Sequence, residues 1–378
     1  MRELPFIAIG GGLAGSAFTL ELARNGARAT VLESSRGPHH KVCGEFLSAE
    51  AQTLLAYLGL DLGALGASSM GTFRLVNGSR QAEASLPFRA AGLSRYRLDQ
   101  TLLQRAGDAG ADVVRGVTVS TVEARDGRVV AKTGTSGFEG RGALLATGKH
   151  NLRQFPRGQS DMVGFKLQLR LSESALRALE NIVQLAMFDG GYVGACIVED
   201  GIVTVCWVMH QAVLQRIGTG WPEQAAHFAK SSEIIGDLLQ NARPEWDKPV
   251  AVAGIPYGYL RRGIVASNIL PVGDQLAVIP SFTGDGMAIA LYSGIAAAQA
   301  VLAGHDSALF QSRMIERLRP QFHWAAATNL LFDKRRLHGF SLRLAAALPG
   351  LVTRIAQSTR LRGFDDVVAG AKRKDRAV

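Results

Sequence analysis

The chain has 378 residues, of which 47% are hydrophobic and 43 are glycine, and its formal net charge is +10; this length exceeds one typical core, so two domains of an α/β enzyme rich in tight turns are expected. The three cysteines, Cys43, Cys196 and Cys206, have an odd count and no metal-ligand spacing, which excludes structural zinc and fits a reducing compartment. No apolar run reaches the ~20 residues that span a bilayer and no secretion signal precedes the first strand, so a cytoplasmic protein is expected.

The N-terminal residues carry the strongest pattern of the chain. Residues 6–15 read FIAIGGGLAG, which predicts a buried strand, a glycine turn and a helix, and a second apolar run then ends on Glu33. Gly10 permits the tight turn, Gly12 lets the backbone approach a pyrophosphate, and Gly15 lets the helix pack closely on the strand. The helix N-terminus offers N–H groups and a positive dipole to phosphates. Glu33 stands where a carboxylate can accept both ribose hydroxyls of an adenosine, so the sequence predicts a dinucleotide-binding unit.

The central part of the chain predicts mixed helices and strands. Before residue 150 the predicted elements are a helix over 49–58, a hairpin over 71–90 that turns at Asn77-Gly78, a helix over 97–109, a strand over 111–116, a hairpin over 117–133 and a strand over 142–147. Beyond residue 160 they are a strand at VGFKLQLRL, antiparallel strands over 187–194, 195–198 and 203–209 with a turn at 199–201, and a helix over 222–240.

A second glycine-rich segment identifies the class of dinucleotide. Residues 270–290 read LPVGDQLAVIPSFTGDGMAIA, which predicts a short strand, the pair Gly273-Asp274, a turn and a helix. Here the chain resembles the FAD-dependent oxidoreductases with a p-hydroxybenzoate hydroxylase-like fold, most closely their geranylgeranyl reductase branch. The resemblance implies that Asp274 binds the ribityl chain of FAD. It also implies that the helix opened by Gly284, Gly286 and Met287 points its N-terminal amides at the flavin, where they would stabilise the negative charge of the reduced ring.

Three further segments match this superfamily in order, and the resemblance spans residues 4–305. They are KVCG at residues 41–44, SRYRLD at 94–99 and LATG at 145–148. The resemblance implies that Thr147 and Gly148 return to the dinucleotide and that Cys43 lies near the isoalloxazine and the substrate; a small buried hydrophobe is the alternative for Cys43. Lys41 could neutralise a pyrophosphate or be solvated. Arg95, at the start of a helix, is expected to reach phosphate.

Two departures bear on the chemistry. The DGxxS motif of aromatic hydroxylases is replaced by TGKHNLR at residues 147–153, and the WxWxIP motif of flavin halogenases is absent. Reduction of a C=C bond is therefore favoured over hydroxylation, and halogenation is disfavoured. Tyr192 and Tyr257 are candidates to orient or protonate a substrate, although aromatic lining of a core would explain them equally well.

The predicted architecture is α/β: an FAD-binding Rossmann-like domain of the glutathione reductase and p-hydroxybenzoate hydroxylase type, an antiparallel-sheet substrate domain and a helical C-terminal tail. The FAD-binding domain is expected to be discontinuous. The predicted divisions are residues 1–70, 94–160 and 256–330 for the FAD-binding domain, 71–93 and 161–255 for the substrate domain, and 331–378 for the basic tail.

The tail holds eleven Lys or Arg and four Asp, a net charge of +7. A solvated helical cap is the simpler interpretation; the alternative is a surface for anionic membrane or an acidic carrier protein. Apolar residues fall near one face of its predicted helix, interrupted by Pro349-Gly350: Leu342, Leu344, Leu348, Leu351 and Ile355. Nucleic-acid binding is rejected because no binding motif accompanies the charge.

The leading function is an FAD-dependent oxidoreductase that acts on a hydrophobic lipid-like, prenyl or polyketide-type substrate, by C=C reduction. The alternatives are a flavin-dependent monooxygenase on such a substrate and a non-catalytic flavin electron-transfer partner. An external electron donor is expected, either NAD(P)H, ferredoxin or a flavin reductase. No metal site is expected. The protein is expected to be cytoplasmic, with peripheral association at the inner face of the membrane as the alternative.

Overall fold

The computed structural model describes residues 3–134, 136–158, 160–333 and 335–374. Its strands are, in chain order, β1 (Phe6–Ile9), β2 (Ala29–Glu33), β3 (Phe46–Leu47), β4 (Ser68–Asn77), β5 (Arg80–Gly92), β6 (Asp112–Arg115), β7 (Thr121–Arg125), β8 (Arg128–Lys132), β9 (Gly137–Gly140), β10 (Gly142–Leu145), β11 (Met162–Arg170), β12 (Asn181–Phe188), β13 (Gly191–Ile197), β14 (Val203–His210), β15 (Arg243–Pro244), β16 (Val250–Ala253), β17 (Tyr259–Leu260), β18 (Ile269–Pro271) and β19 (Ala277–Val278). Its helices are α1 (Leu13–Arg24), α2 (Ala49–Tyr57), α3 (Arg95–Asp108), α4 (Glu173–Ala178), α5 (Gln211–Ile217), α6 (Trp221–Ser231), α7 (Glu233–Leu239), α8 (Gly286–Leu302), α9 (Ser307–Asp333), α10 (Arg335–Ala347), α11 (Pro349–Ser358) and α12 (Asp365–Lys374).

A parallel sheet of five strands, in the order β18-β10-β1-β2-β6, forms the first layer. Successive residues of β1 face opposite sides: Ala8 packs with α1 and α8, whereas Ile7 and Ile9 pack with the small sheet of β7, β8 and β9. Burial on both faces explains the continuous apolar runs in these strands. Because all five strands are parallel, their carboxyl ends meet at one edge, and the loops after β1, β2, β10 and β18 lie there.

A larger sheet follows the order β15-β11-β14-β13-β12-β4-β5-β3, with β16 also paired to β11. Its ladders are antiparallel except for the parallel pair β12 and β4. One face buries Phe165 and Trp207 against helices α5 to α7, where Phe228 is also buried. The other face carries the alternate residues, among them Lys166 and Tyr192. We call this the inner face, because it is the face directed toward the loops of the parallel sheet and the C-terminal helices.

Two predictions for residues 161–255, one for a strand and one for a helix, were wrong. The strand expected over residues 187–194 is divided, because Gly190 has a φ of +82° and turns the chain between β12 and β13. Gly191 begins β13, and a Cβ there would lie 2.2 Å from the carbonyl oxygen of Val208. The helix expected over 222–240 is two helices, since Ser232 has extended backbone and caps α7 by accepting a hydrogen bond from the backbone N of Ile235.

The C-terminal helices pack on the body of the protein. Helix α10 packs on β4 and β5, α11 packs on β5, and α12 packs on α8. Leu342 is buried in the cluster on the inner face, whereas Leu348, from the same expected apolar face, is 53% exposed. The opposite side of α10 leaves Arg336, Phe340 and Arg343 exposed. Within the described part of the chain, no helix is both long and apolar enough to cross a bilayer.

Candidate functional site

The glycine turn after β1 requires glycine at two positions. Gly10 has a φ of +106°, and a Cβ there would lie 2.5 Å from the carbonyl oxygen of Ala146 at the end of β10. A Cβ on Gly15 would lie 1.9 Å from the carbonyl oxygen of Gly10, so α1 can approach the turn only with glycine there. A Cβ on Gly12 would meet only charged side-chain atoms. It would lie 3.5 Å from Nζ of Lys41 and 3.7 Å from Nη2 of Arg95. The first turn of α1 therefore faces cationic groups, as a pyrophosphate site requires.

Glu33 lies at the carboxyl end of β2, beside this turn, and is buried. Its Oε2 accepts a hydrogen bond of 2.7 Å from the backbone N of Gly11, and its Oε1 accepts one of 2.8 Å from the backbone N of Ser35. Burial opposes ionisation, but the Ser35 amide and the charge of Lys41 outweigh it and lower the pKa of Glu33. Glu33 is therefore an ionised acceptor fixed at the edge where the sequence predicts the adenosine ribose.

Asp99 joins the two cations in front of Gly12. Its Oδ2 lies 2.8 Å from Nζ of Lys41, and its Oδ1 lies 2.6 Å from Nε of Arg95. Burial would raise the pKa of Asp99, but Arg95 and then Lys41 hold it at about 2. Two cations and one carboxylate leave a single positive charge, which suits an anionic phosphate group. Asp99 was not predicted as a site residue, although it ends the SRYRLD segment; a carboxylate four residues after Arg95 on a helix is the signal for this pairing.

The segments LATG and Gly273-Asp274 lie side by side at the same edge. Nε2 of Gln275 donates hydrogen bonds of 2.9 Å to the carbonyl oxygens of Gly148 and His150 and so ties the two segments together. Thr147 donates its hydroxyl hydrogen to the same His150 carbonyl, at 2.6 Å. Gly273 has a φ of +51°, and its N–H donates to Oγ of Ser293 in α8.

Asp274 remains partly exposed at this edge, and Nζ of Lys149 lies 3.6 Å from its Oδ2. Lys149 was not predicted; it directly follows the expected Gly148, within TGKH. Its ammonium also donates to the carbonyl oxygen of Val42, at 3.2 Å, so it links loop 41–44 to the edge of the parallel sheet.

The loop before α8 contacts the C-terminal part of the chain. Gly284 has a φ of +70° and a Cβ there would lie 2.7 Å from the ring of Phe46. The next residue, Asp285, is fully buried; it accepts a hydrogen bond from Ser48 at 3.3 Å, and Nη1 of Arg360 lies 3.6 Å away. Burial, partly offset by Arg360, raises the pKa of Asp285 to about 6. Gly286 and Met287 then open the helix, Gly286 exposed and Met287 buried.

Tyr192 and Tyr257, predicted from separate segments, meet at one residue. The hydroxyl of Tyr192 is hydrogen-bonded to Oγ of Ser281, and the hydroxyl of Tyr257 lies 2.8 Å from the same atom. Burial raises the pKa of both tyrosines, so both keep their protons at neutral pH. Ser281 was missed, although it stands three residues before Gly284 in the expected flavin segment.

Cys43 lies in loop 41–44 and is partly exposed. Its Sγ accepts a hydrogen bond of 3.4 Å from the backbone N of Glu45. Cys196 on β13 donates to the carbonyl oxygen of Gly44, at 3.3 Å. Burial raises the pKa of Cys206 on β14 to about 12. Loop 41–44 thus contacts the inner face at Cys196, through the carbonyl oxygen of Gly44.

Comparison with known proteins agrees with this geometry. Residues 3–141 match the FAD binding domain family. Protein FixC of Escherichia coli (strain K12) is 26% identical over 355 residues, covering 83% of this chain and 80% of FixC. Menaquinone reductase of Mycobacterium tuberculosis (strain H37Rv) is also 26% identical, covering 90% of this chain and 83% of that protein.

Among solved structures, halogenase PltM in complex with phloroglucinol and FAD superposes with a TM-score of 0.74 at 16% identity, covering 96% of this chain and 85% of PltM. The expected fold is confirmed: an α/β FAD-binding fold of the p-hydroxybenzoate hydroxylase type with a helical C-terminal region. The cofactor is FAD. The chain is an FAD-dependent oxidoreductase.

Proposed function

We propose that this FAD-dependent enzyme reduces a carbon–carbon double bond in a hydrophobic substrate of lipid-like, prenyl or polyketide type. The observation that carries the proposal is the pair of protonated tyrosines that converge on Ser281, three residues from Gly284 in the expected flavin loop. One relative is named for the reduction of menaquinone, which supports reduction as the reaction. The KVCG segment at residues 41–44 resembles the geranylgeranyl reductase branch and favours the same chemistry.

The residues at the carboxyl edge fit FAD, and we assign them by chemistry. The first turn of α1 with Lys41 and Arg95 would hold the pyrophosphate, because unpaired helix amides and cations face the same space. Glu33 would accept the adenosine ribose, and Asp274 the ribityl hydroxyls. The remaining positions assigned to FAD are Gly10, Gly12, Gly15, Thr147, Gly148, Gly273, Gly284, Gly286 and Met287.

Reduced FAD supplies a hydride equivalent when bound, and saturation of a double bond then needs one proton on the neighbouring carbon. We assign that proton to the hydroxyl of Tyr192. Ser281 links Tyr192 to the partly exposed Tyr257, so a proton given up at the buried end can be replaced from solvent. Cys43, in the KVCG segment that resembles the reductase branch, is assigned to the same side of the flavin as a group that contacts the substrate.

An apolar cluster on the inner face supports a hydrophobic substrate. Phe46 lies against Gly284 and packs edge-to-face on Phe88, with ring centroids 6.5 Å apart. Met70 and Cys196 belong to the same cluster. An aliphatic or prenyl chain would bury apolar area here, at roughly 25 cal/mol per Å².

Substrate turnover with and without oxygen tests the reaction. The protein, reconstituted with FAD and photoreduced under anaerobic conditions, is mixed with a menaquinone, and the product is read by mass spectrometry. Gain of two hydrogens in the prenyl side chain without oxygen, retained after the product is reoxidised to the quinone, supports C=C reduction. Gain of one oxygen only in air would establish the monooxygenase alternative, and gain of a halogen only when air and bromide are both supplied would establish halogenation. Rapid flavin turnover with a protein acceptor and none with any small molecule would establish an electron-transfer role.

We also propose that the hydrophobic substrate is membrane-borne and that the outer side of α10 rests on anionic lipid. Phe340 is 56% exposed between the exposed Arg336 and Arg343, so an aromatic anchor stands between two cations. Co-sedimentation with phosphatidylglycerol vesicles should be strong at low salt and weak at ~0.5 M salt, where the Debye length is only a few Å. Phe340→Ser should weaken it, whereas Ile264→Ser, at another exposed hydrophobic residue, should not. Protein that stays in the supernatant at low salt would leave α10 as a packed cap.

A further inference from the structure

A buried ion pair lies on the inner face of the large sheet, outside every residue assigned above. Lys166 on β11 donates to Oε1 of Glu45, and both side chains are fully buried. Burying two charges removes both from water at a large cost in free energy, and only close pairing with further hydrogen bonds offsets that cost. A pair in such a place therefore needs a reason beyond stability.

Glu45 accepts hydrogen bonds from four groups in three parts of the chain. Its Oε1 also accepts a hydrogen bond of 2.6 Å from the backbone N of Arg95. Its Oε2 accepts one of 3.0 Å from Nε2 of Gln168 and another from the hydroxyl of Thr204. Its backbone has a φ of +56°, which is uncommon for a residue with a side chain. The surroundings thus fix the side chain of Glu45 directly after loop 41–44.

The same ammonium reaches the residue directly before that loop. Nζ of Lys166 lies 3.3 Å from Nδ1 of His40. The His40 ring is stacked on Tyr96 and Trp246, with ring centroids 4.9 Å and 4.2 Å away. Burial and the charge of Lys166 lower the pKa of His40 to about 4, so the ring is neutral and Nδ1 can accept the hydrogen bond.

We propose that Lys166 is a positioning residue that holds both ends of loop 41–44, through His40 and Glu45, and so fixes Lys41 and Cys43 at the flavin site. One ammonium contacts the residues on either side of a four-residue loop, and β11 gives it a rigid base. The functional consequence rests on the proposed function, since Cys43 is assigned there to the substrate side. The positioning itself does not depend on which reaction the enzyme catalyses.

Alkylation of the thiols tests the positioning without any turnover. The full chain with FAD is treated with iodoacetamide, and the rates at Cys43 and Cys206 are measured by peptide mass mapping. Lys166→Met should raise the Cys43 rate at least tenfold relative to wild type, because the loop loses its contact at His40 and the charged partner of Glu45. Lys166→Arg should restore most of the protection. Lys132→Met, at an exposed lysine paired with Glu123 on the small sheet, is the matched control and should change neither rate.

His40→Phe keeps the aromatic stack but removes the acceptor, so it tests one end of the loop in a variant with an intact ion pair. It should raise the Cys43 rate by a smaller factor, and it decides the matter if Lys166→Met does not fold. An equal rise at Cys43 and Cys206 would indicate general loosening and would overturn the proposal. Unchanged Cys43 labelling in both variants would overturn it as well. Absence of C=C reduction in the wild-type protein, together with the expected labelling, would count against the proposed function alone.

Discussion

Replacing Glu33 with glutamine is expected to weaken FAD binding by roughly ten- to a hundredfold. The two carboxylate oxygens accept from two different backbone amides, Gly11 N at 2.7 Å and Ser35 N at 2.8 Å. Glutamine keeps one oxygen but places an NH₂ group against the other amide. The neutral amide also replaces the charged acceptor proposed for the adenosine ribose, so one hydrogen bond from FAD to a charged group is lost, at about 1.5–3 kcal/mol, and each 1.4 kcal/mol corresponds to a tenfold change in affinity.

The same bonds shape the glycine turn, so the variant should also be less stable without FAD. The dissociation constant is measured by titrating FAD into the apoprotein and following flavin fluorescence, and the free energy of unfolding is measured with urea. Asp112→Asn is the matched control, because it removes one negative charge from an exposed residue on β6, the strand next to β2. Equal FAD affinity in wild type and Glu33→Gln would refute the assignment of Glu33 to the cofactor.

Three further outcomes follow from titratable groups and from the site. The folded-state pKa of His40 is about 4 rather than 6.5, so the unfolded chain binds more protons between these two pH values. The free energy of unfolding should therefore rise with pH in that window, and His40→Phe should remove this rise, as read from urea midpoints. The folded-state pKa of Asp285 is raised from 3.8 to about 6, so its contribution has the opposite sign and stability should fall as pH rises through that window, an effect that Asp285→Asn should abolish in the same assay. Cys43→Ser should keep FAD bound, as read from its absorbance after gel filtration, but lower kcat more than tenfold; unchanged turnover would assign Cys43 to packing.

The cofactor edge could be predicted from the sequence because its physical requirements are local. Gly10 needs a positive φ and Gly15 a close contact, and both appear as glycines at a fixed spacing after an apolar strand. Parallel strands then bring the ends of β1, β2, β10 and β18 to one edge, which general rules of α/β folds supply. The roles of individual residues toward FAD remain predictions.

Long-range pairing explains what the sequence did not reveal. Glu45 meets Lys166, Gln168 and Thr204 only because β11 and β14 pair in register with Gln168 opposite Thr204. Nothing in the local pattern around Glu45 marks that encounter, since these three partners lie more than a hundred residues away. The turn at Gly190 was missed for a related reason: the apolar residues on both sides of it read as one strand until the pairing of β12 with β13 is known.

The distribution of these residues indicates where substrate choice resides. The groups assigned to FAD come from turns at the edge of the parallel sheet, whose chemistry is set by phosphates and ribose. The groups that would meet a substrate come from the inner face, from loop 41–44 and from the cluster around Phe46 and Phe88, and helix α10 covers part of the same face through Leu342. A protein of this fold can therefore change its substrate by altering the inner face and the helices that cover it, while the cofactor edge stays constant. Substitutions at Phe88 should accordingly change which hydrophobic compounds bind and leave FAD affinity unaltered.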